Sequence, residues 1–469
     1  MSLSTIIPIP KNRKKCLNES SNYRGIALGS LIGKVLDNII LCNNLNILTS
    51  SDLQFGFKPK HSTTQCTFVL NEIIDYYLRH NSSIYLVLLD ASQAFDRVQY
   101  VKMFRLLIQR GICSLTARFL ANLYTSQSIR VSWNGQISNS FTTSNGVKQG
   151  AILSPILFCI YMDVLLLELE KSRFGCHIGA RYCGSFGYAD DVCILAPSHN
   201  AIQSMLNICQ NFAAEYDVKF NASKSQLLLF NCPTNVKDIE LNNIPIQVSE
   251  SGIHLGHHIG KNFNYDSISK GISDLVYRTN YVTAKFGFCN SLIKSHMFDT
   301  YCTSYYGCPL WNLRTRYINR FYVNWRKCVR RIWGVPWMTH GRILKHLIRE
   351  QGQSIQTQLL SRFLSFYYDV VHSDNKYVSM CSLLCKMSNT NTASNLRLLL
   401  YTLNNNGDCF TRSSVLSIRK KLYCASDCSD ECTAVGICVR ELCLMRDGYY
   451  LPPFNQCTLT TLLHELCVN

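Results

Sequence analysis

The sequence has few acidic residues and no long apolar run. Aspartate and glutamate number 30 against 47 lysines and arginines, which gives a formal net charge of +17 and a pI near 9.0. Such a basic chain is expected to bind a polyanion, either nucleic acid or an anionic membrane surface. The longest apolar run, residues 150–162, contains Ser154 and Pro155 and is shorter than the ~20 residues that a membrane-spanning helix needs. We therefore expect no insertion into a membrane.

A paired cysteine spacing of the kind that binds zinc is also missing where the cysteines are densest. The chain has 24 cysteines, most of them beside apolar residues, and no secretory signal opens it. The densest group lacks any Cys-x-x-Cys pair and any interleaved histidine; its members are Cys424, Cys428, Cys432, Cys438 and Cys443. The pattern predicts reduced, mostly buried thiols, and a zinc site in this group is the weaker alternative.

Three aspartates follow or separate apolar, strand-like segments. Asp90 comes directly after residues 84–89, and Asp190 and Asp191 stand between two apolar stretches in the tetrapeptide Tyr188-Ala189-Asp190-Asp191. Crowded carboxylates repel one another, so such a cluster needs a neutralising cation. Oxygen ligands suit Mg²⁺ or Mn²⁺, and magnesium usually keeps substrate phosphates in its shell. The cluster therefore predicts metal-dependent nucleotide transfer.

The pattern of apolar residues predicts an α+β fold. Residues 6–10 indicate a short edge strand broken by prolines, and residues 84–89, 128–133, 140–143 and 226–230 indicate further strands. Helices are predicted over residues 31–48, 63–77, 101–110, 115–124, 151–167 and 201–215. We expect the helices on one face of the sheet, and Asp90 and Asp190 on adjacent central strands.

Beyond residue 262 the pattern becomes helical and basic. No acidic residue occurs between Asp299 and Glu350, whereas ten cations do. Aromatic residues lie among these cations: Trp311, Tyr317, Tyr322, Trp325, Trp333 and Trp337. Interleaved aromatics and arginines are typical of surfaces that stack on bases and contact phosphates, so we favour nucleic-acid binding here. Amphipathic helices with aromatic cores are the alternative.

Four motifs occur in a fixed order along the chain. They are Asp90-Ala91-Ser92-Gln93-Ala94-Phe95-Asp96, then Gly146-Val147-Lys148-Gln149-Gly150, then Tyr188-Ala189-Asp190-Asp191, then Asn221-Ala222-Ser223-Lys224. One aromatic-x-Asp-Asp tetrapeptide is weak evidence, but the ordered series is specific. The series resembles the reverse transcriptases of non-LTR (LINE-type) retrotransposons. The C-terminal segment, residues 439–467, looks like the tails of chicken-repeat-like elements.

The resemblance implies a right-hand polymerase with fingers, palm and thumb and a mainly helical C-terminal extension. Residues 1–83 would form the fingers and residues 84–262 the palm with finger insertions. Residues 263–350 would form a basic helical thumb, and residues 351–469 a cysteine-containing extension. The chain begins within the fingers, without the upstream endonuclease of most such elements, so it resembles a truncated piece of a longer element protein.

The resemblance also implies catalytic roles. Asp90, Asp190 and Asp191 match the metal-site carboxylates, with two Mg²⁺ ions, or Mn²⁺ as a substitute, expected between them and the substrates. The carbonyl of Ala91 would be a further ligand. Lys224 matches a lysine that protonates the departing pyrophosphate, and a plain surface lysine is the alternative.

Further matching residues would bind the nucleotide and the primer. Phe95 would be the steric gate that excludes a 2′-hydroxyl. Tyr188 is expected to contact the nucleotide. Lys11 and Arg24 would bind its triphosphate. Gln149 and Gly150, expected at the entry of a helix, would also contact it. His254, Leu255 and Gly256 occupy the place of the primer-contacting turn, where many relatives have tyrosine instead of His254.

The function implied is RNA-directed DNA polymerisation, the extension of a primer 3′ end with dNTPs by two-metal phosphoryl transfer. The expected partners are an RNA template, a DNA primer and their hybrid. A catalytically inactive nucleic-acid-binding remnant of a retroelement is the first alternative. An RNA-dependent RNA polymerase, which should lack a bulky gate at Phe95, is the second. Element biology suggests the nucleus, although the run from Arg13 to Lys15 is short for an import signal.

Overall fold

The computed structural model describes residues 3–233, 237–260, 263–348 and 354–402. The chain divides into two compact units, residues 1–255 and residues 256–469. The first contains every strand up to residue 254, and the second is mainly helical where it is described. The predicted α+β class with a helical C-terminal region is confirmed. The division into fingers, palm, thumb and extension stays a prediction.

The described residues contain eighteen strands, most of them short. In chain order they are β1 (Leu3–Pro10), β2 (Tyr23–Leu28), β3 (Ile84–Leu89), β4 (Ala91–Ser92), β5 (Ser128–Trp133), β6 (Gln136–Ile137), β7 (Phe141–Thr142), β8 (His177–Ile178), β9 (Arg181–Tyr182), β10 (Ser185–Tyr188), β11 (Asp191–Ala196), β12 (Lys219–Phe220), β13 (Gln226–Phe230), β14 (Glu240–Leu241), β15 (Ile244–Pro245), β16 (Gln247–Ser249), β17 (Ser251–His254) and β18 (His257–Gly260).

The described residues also contain thirteen α-helices. They are α1 (Leu31–Asn43), α2 (Thr63–Arg79), α3 (Tyr100–Gln109), α4 (Ser114–Thr125), α5 (Ser154–Ser172), α6 (His199–Tyr216), α7 (Phe263–Lys285), α8 (Ser291–Tyr301), α9 (Arg316–Trp333), α10 (Gly341–Ile348), α11 (Ile355–Val371), α12 (Lys376–Met387) and α13 (Asn391–Thr402).

A five-stranded sheet in the order β10-β11-β3-β13-β16 forms the core of the first unit. β3 pairs antiparallel with both neighbours, β11 and β13, and every residue of β3 is buried. A strand buried on both faces is expected to be a continuous apolar run, as Ile84–Leu89 is. Helices α2, α5 and α6 pack against this sheet. The predicted adjacency of the strands that carry Asp90 and Asp190 is confirmed.

A second sheet has the order β2-β1-β5-β6, with β7 also on β5. The predicted edge strand is confirmed for residues 7–10, which pair with β2 alone, but β1 is longer than predicted, runs unbroken through both prolines and also pairs with β5 over residues 3–6. The parallel pairing with β5 covers residues 3–6 and ends before Pro8. The prolines therefore lie where β1 has only one partner, which is why they are tolerated there.

Helix boundaries follow local capping chemistry more than apolar periodicity. α2 begins after a capping box in which Ser62 and Gln65 each bind the other's backbone N–H. α5 begins at Ser154, with Pro155 in its first turn, and not at residue 151 as predicted. α1 ends at Asn43, five residues before the predicted end. Gln149 and Gly150 therefore precede α5 by several residues and do not lie at the helix entry.

α9 buries most of the aromatic residues that the sequence intersperses with arginines. Trp311, Trp325 and Trp333 are at most 2% exposed, whereas Trp337 is 81% exposed. The prediction that this set stacks on bases was therefore wrong for most of its members. The buried positions of α9 recur with helical period, so the aromatics form one face and the cations the other. In this set Trp337 is exposed and Tyr317 is half-buried.

The described cysteines and helices concern two expectations from the sequence: reduced, mostly buried thiols and no insertion into a membrane. Among the sixteen cysteines described, most are buried and none forms a disulfide. Cys424, Cys428, Cys432, Cys438 and Cys443, together with the tail at residues 439–467, lie outside the described residues. Within the described ranges, no helix is long and apolar enough to cross a membrane.

Candidate active site

A tight turn between β10 and β11 presents Asp190 and Asp191 at the edge of the central sheet. Tyr188 and Asp191 are register partners, and Ala189 has a φ of 59°, in the left-handed region. That conformation costs a non-glycine residue about 1 kcal/mol, so surrounding contacts must hold the turn. The turn is therefore a strained element, of the kind often found at functional sites.

Gln54 supplies those contacts, and the sequence analysis did not identify it. Its side chain is fully buried, and Oε1 accepts hydrogen bonds from the Ala189 and Gly56 N–H groups, each at 2.9 Å. Nε2 donates to the Ala189 carbonyl at 3.4 Å. A Cβ on Gly56 would lie 2.4 Å from the Ala189 nitrogen, so only glycine fits there. The available sequence signal was a polar residue between the apolar Leu53 and Phe55, followed by glycine.

Asp90 is fixed by the segment that follows β12. The Asp90 N–H donates to Ser225 Oγ at 3.2 Å, and the Asp90 carbonyl accepts from Asn221 N–H at 2.9 Å. Lys224 Nζ lies 3.6 Å from Asp90 Oδ2. Residues 221–225 thus contact Asp90 through two hydrogen bonds to its backbone and through the Lys224 ammonium. Both side chains keep solvent access, at 62% for Lys224 and 41% for Asp90.

The electrostatics of the site favour a bound cation. Partial desolvation, and then the charges of Asp190 and Asp90, raise the pKa of Asp191 to about 6, although Asp191 keeps solvent access. Desolvation also raises the pKa of Asp190, with Asp90 adding to the shift and Arg24 opposing it. Asp190 and Asp191 form no salt bridge with any described residue. The negative charge of the pair is therefore largely uncompensated.

The donor set fits a divalent metal held by few protein ligands. Among the described residues, no three His, Cys, Asp or Glu side chains are grouped closely enough to hold one ion. Asp90, Asp190 and Asp191 are therefore a cluster coupled through charge and not an assembled three-ligand site. Magnesium is commonly held by one or two carboxylates, with water and substrate phosphates completing the shell. Oxygen ligands of this kind are what the cluster offers.

Phe95 belongs to the first motif and is hydrogen-bonded to the second. Its half-buried ring stacks on Phe158, with ring centroids 4.1 Å apart and an interplanar angle of 16°. Its carbonyl accepts a hydrogen bond from the Val147 N–H at 2.8 Å. The ring is therefore held in one orientation by packing, and the backbone ties it to the segment that leads to Gln149.

Gln149 and Gly150 lie beside β2. The Gln149 carbonyl accepts from the Ala27 N–H at 2.7 Å. Gly150 has a φ of 117°, and a Cβ there would lie 2.7 Å from the Ala27 oxygen. The glycine is therefore required by both conformation and space.

Lys11 and Arg24 are cations whose charges reach aspartates of the first unit. Ile9 is the register partner of Arg24, which places the guanidinium on β2, and its charge is felt at Asp190. Lys11 Nζ donates to the Ser21 carbonyl at 2.9 Å. Burial raises the pKa of Asp96, and the charge of Lys11 opposes that rise. Both side chains are exposed. The charge of Arg24 thus reaches the aspartate cluster at Asp190, and that of Lys11 reaches Asp96.

The turn between β17 and β18 contains the three residues predicted to contact a primer. Leu255 and Gly256 have φ values of 52° and 78°. His254 is 4% exposed, so its ring is part of the interior of the turn. Leu255 and the turn backbone are the accessible parts, and a direct contact from the His254 ring is not supported.

A family model agrees with the order of the motifs. The model described as "Reverse transcriptase (RNA-dependent DNA polymerase)" matches residues 9–259, just over half of the 469-residue chain. The match includes Asp90, Asp190 and Asp191, together with Phe95, Lys224 and the turn at residues 254–256.

Curated relatives come from insect retrotransposons. The chain is 29% identical over 204 residues to the retrovirus-related Pol polyprotein of the type-2 element R2DM of Drosophila melanogaster, covering 43% of this chain and 19% of that protein. It is 25% identical over 350 residues to a probable RNA-directed DNA polymerase from transposon X-element of the same species, covering 70% of this chain and 37% of the relative. The chain thus spans well under half the length of these relatives.

Solved structures of telomerase from Candida tropicalis are also similar. The apo structure matches with a TM-score of 0.42 at 11% identity, covering 90% of this chain and 69% of the other. A complex with a fragment of telomeric RNA matches with the same TM-score and identity, covering 81% of this chain and 64% of the other.

Proposed function

The chain belongs to the reverse transcriptase family, and we propose that it extends a DNA primer 3′ end with dNTPs on an RNA template. The observation that carries the proposal is the aspartate cluster. Asp90 and the Asp190–Asp191 turn come from adjacent strands and are coupled through charge, and Lys224 lies 3.6 Å from Asp90. Similarity to R2, X-element and jockey proteins supports an origin in a non-LTR retrotransposon.

The reaction would be in-line attack of the primer 3′-hydroxyl on the α-phosphate, with pyrophosphate leaving. Divalent metal, which we propose to be two Mg²⁺ ions, supplies activation of that hydroxyl and neutralisation of the leaving group when bound. Asp90 and Asp190 would hold the metal directly, with Asp191 and the Ala91 carbonyl beside them. Most of the rate would come from positioning and charge neutralisation, as in phosphoryl transfer generally.

Other residues would position the nucleotide. Lys11 and Arg24, exposed cations whose charges reach the carboxylate region, would bind the triphosphate. Lys224 would donate a proton to the departing pyrophosphate. Phe95, held by its stack on Phe158, would exclude a 2′-hydroxyl. Tyr188, Gln149 and Gly150 would complete the nucleotide site.

Primer and template would bind by further surfaces. The turn at Leu255 and Gly256 would contact the primer through its backbone. The cationic face of α9 would contact hybrid phosphates, so binding should weaken steeply with salt. Membership of the chicken-repeat-like clade is a finer proposal that rests on residues 439–467.

Extension of a labelled DNA primer on an RNA template tests the proposal. We expect Mg²⁺-dependent extension by the purified chain. A folded chain that binds the hybrid but adds no nucleotide would favour the inactive remnant instead. Preferential use of ribonucleotides would favour an RNA polymerase.

A further inference from the structure

An open cavity of about 750 Å³ lies within the second unit, between α9, α10, α11 and α13. Most of its lining residues are polar or cationic. Among the described residues that line it, none is an aspartate or glutamate. A cavity of this volume has the size of a site for a small ligand or a short segment of a longer one.

Four cations line this cavity: Arg314, Arg316, Arg342 and Lys345. The side chains of Arg314, Arg342 and Lys345 form no hydrogen bond, ion pair or ring contact in the described part of the chain. Lys345 is only 7% exposed. Its stem is therefore packed in the wall, and the described residues supply no carboxylate that pairs with its ammonium at the cavity surface.

Three helices begin at the cavity wall. Arg316 is the first residue of α9, Gly341 the first of α10, and Ser354 the N-cap of α11, and all three line the cavity. No side-chain oxygen caps α9, since the Thr315 hydroxyl instead donates to the Asn312 carbonyl. Helix N-termini carry partial positive charge and bind anions through backbone N–H groups. The helix N-termini and the cations therefore both favour an anion in the cavity.

We propose that this cavity is a second nucleic-acid site, which binds the phosphates of a single-stranded segment and is separate from the aspartate cluster. Lys345 would bind one phosphate at the base of the cavity, and the exposed Arg314 and Arg342 would bind neighbouring phosphates at its rim. A few linked phosphates fit the volume, whereas the full width of a duplex does not. The inference concerns binding alone and does not depend on polymerase activity.

The lining also argues for a strand over a free nucleotide. The aromatic in the wall, Tyr322, is 7% exposed and offers little ring surface for a base to stack on. Recognition would therefore act through the backbone and tolerate any sequence. A free mononucleotide would leave its base without a partner in the cavity.

The test is equilibrium binding of a fluorescein-labelled oligouridylate of about twelve nucleotides, measured by anisotropy with the full chain in EDTA. Two variants change the cavity: Arg314→Gln/Arg342→Gln, which alters exposed residues only, and Lys345→Met, which keeps the packed stem and removes the ammonium. Lys285→Gln/Lys294→Gln is the matched control, since it removes the same two charges from this unit outside the cavity lining.

We expect each cavity variant to weaken binding about tenfold and the double variant to lower the salt slope by about 1.4, at 0.7 per lost phosphate contact on a single strand. The control should stay within about twofold. Equal losses in cavity and control variants would overturn the site. Competition by ATP or inorganic phosphate at a concentration equal to that of the oligonucleotide would contradict a single strand as the occupant. It would indicate a free nucleotide or an adventitious ion only. Hybrid extension that survives in both cavity variants would leave the catalytic proposal intact.

Discussion

The side-chain amide of Gln54 binds both polar groups of Ala189, the residue that precedes Asp190. Oε1 accepts from the Ala189 N–H at 2.9 Å, and Nε2 donates to the Ala189 carbonyl at 3.4 Å. Because the turn has left-handed backbone at Ala189, these bonds fix the direction in which the following aspartates leave β10. Gln54 is thus a positioning residue for the carboxylate cluster.

Gln54→Leu should impair catalysis more than binding. The change leaves the buried N–H groups of Ala189 and Gly56 without their acceptor, which we expect to lower the free energy of unfolding by about 2 kcal/mol. Displacement of the aspartates should lower turnover about tenfold to a hundredfold, with the Kd for the hybrid unchanged. Single-turnover extension and anisotropy measure the two quantities. Gln136→Leu, at an exposed position, is the control, and unchanged turnover in Gln54→Leu would contradict the positioning role.

Phe95→Val should relax discrimination against ribonucleotides. Removing the ring that stacks on Phe158 opens the space in which we place the 2′-hydroxyl. We expect the ratio of kcat/KM for dNTP to that for rNTP to fall by about tenfold or more. Phe174→Val, at an exposed position away from the motifs, should leave the ratio unchanged. An unaltered ratio in Phe95→Val would contradict the steric-gate role and leave Phe95 a purely structural core residue.

Arg110→Met should destabilise the first unit. The Asp163 carboxylate is 1% exposed and accepts from Arg110 Nη2 at 3.0 Å, Ser51 Oγ at 2.6 Å and the Ser51 N–H at 2.9 Å. Loss of the guanidinium leaves a buried charge under-compensated, at a cost of about 3 kcal/mol. Urea unfolding gives the value. Arg110→Met/Asp163→Asn should recover part of the loss, since the amide is neutral; a double variant as unstable as the single one would argue against a charge effect.

The contribution of Asp191 to the stability of the metal-free chain should fall as the pH rises. The pKa of Asp191 is raised from an ordinary 3.8 to about 6, so the folded state binds the proton more tightly than the unfolded state. The stabilisation is present below the unfolded pKa and is lost as the pH rises through about 6. In EDTA, the melting temperature of Asp191→Asn should therefore rise relative to that of the wild type between about pH 4 and about pH 7. This range brackets the unfolded and folded pKa values of Asp191. A pH-independent difference would contradict the electrostatic description.

The sequence was informative where one element determines its own structure. The apolar run of β3 predicted a buried strand, and the aspartates that follow and flank such runs predicted the cluster. The ordered motifs identified Lys224, which the structure places 3.6 Å from Asp90. These inferences need only local pattern and order along the chain.

Contacts between distant segments could not be predicted in this way. Gln54 acts on a residue 135 positions later, and no local pattern distinguishes it from other glutamines. The side of β1 that pairs with β5 depends on a strand more than a hundred residues away. The aromatics of α9 were assigned to a binding surface because composition alone does not reveal which face packs. Burial, not residue type, separates Trp325 from Trp337.

Single-nucleotide addition to a DNA primer on an RNA template tests the central claim most directly. The purified chain should add dNTP in Mg²⁺ and stop in EDTA, and Asp190→Asn/Asp191→Asn should abolish addition while still binding the hybrid. Asp238→Asn/Asp374→Asn, which changes the same charge at exposed sites, should remain active. Addition by the double site variant at the wild-type rate would contradict the assignment of the cluster as the polymerase centre.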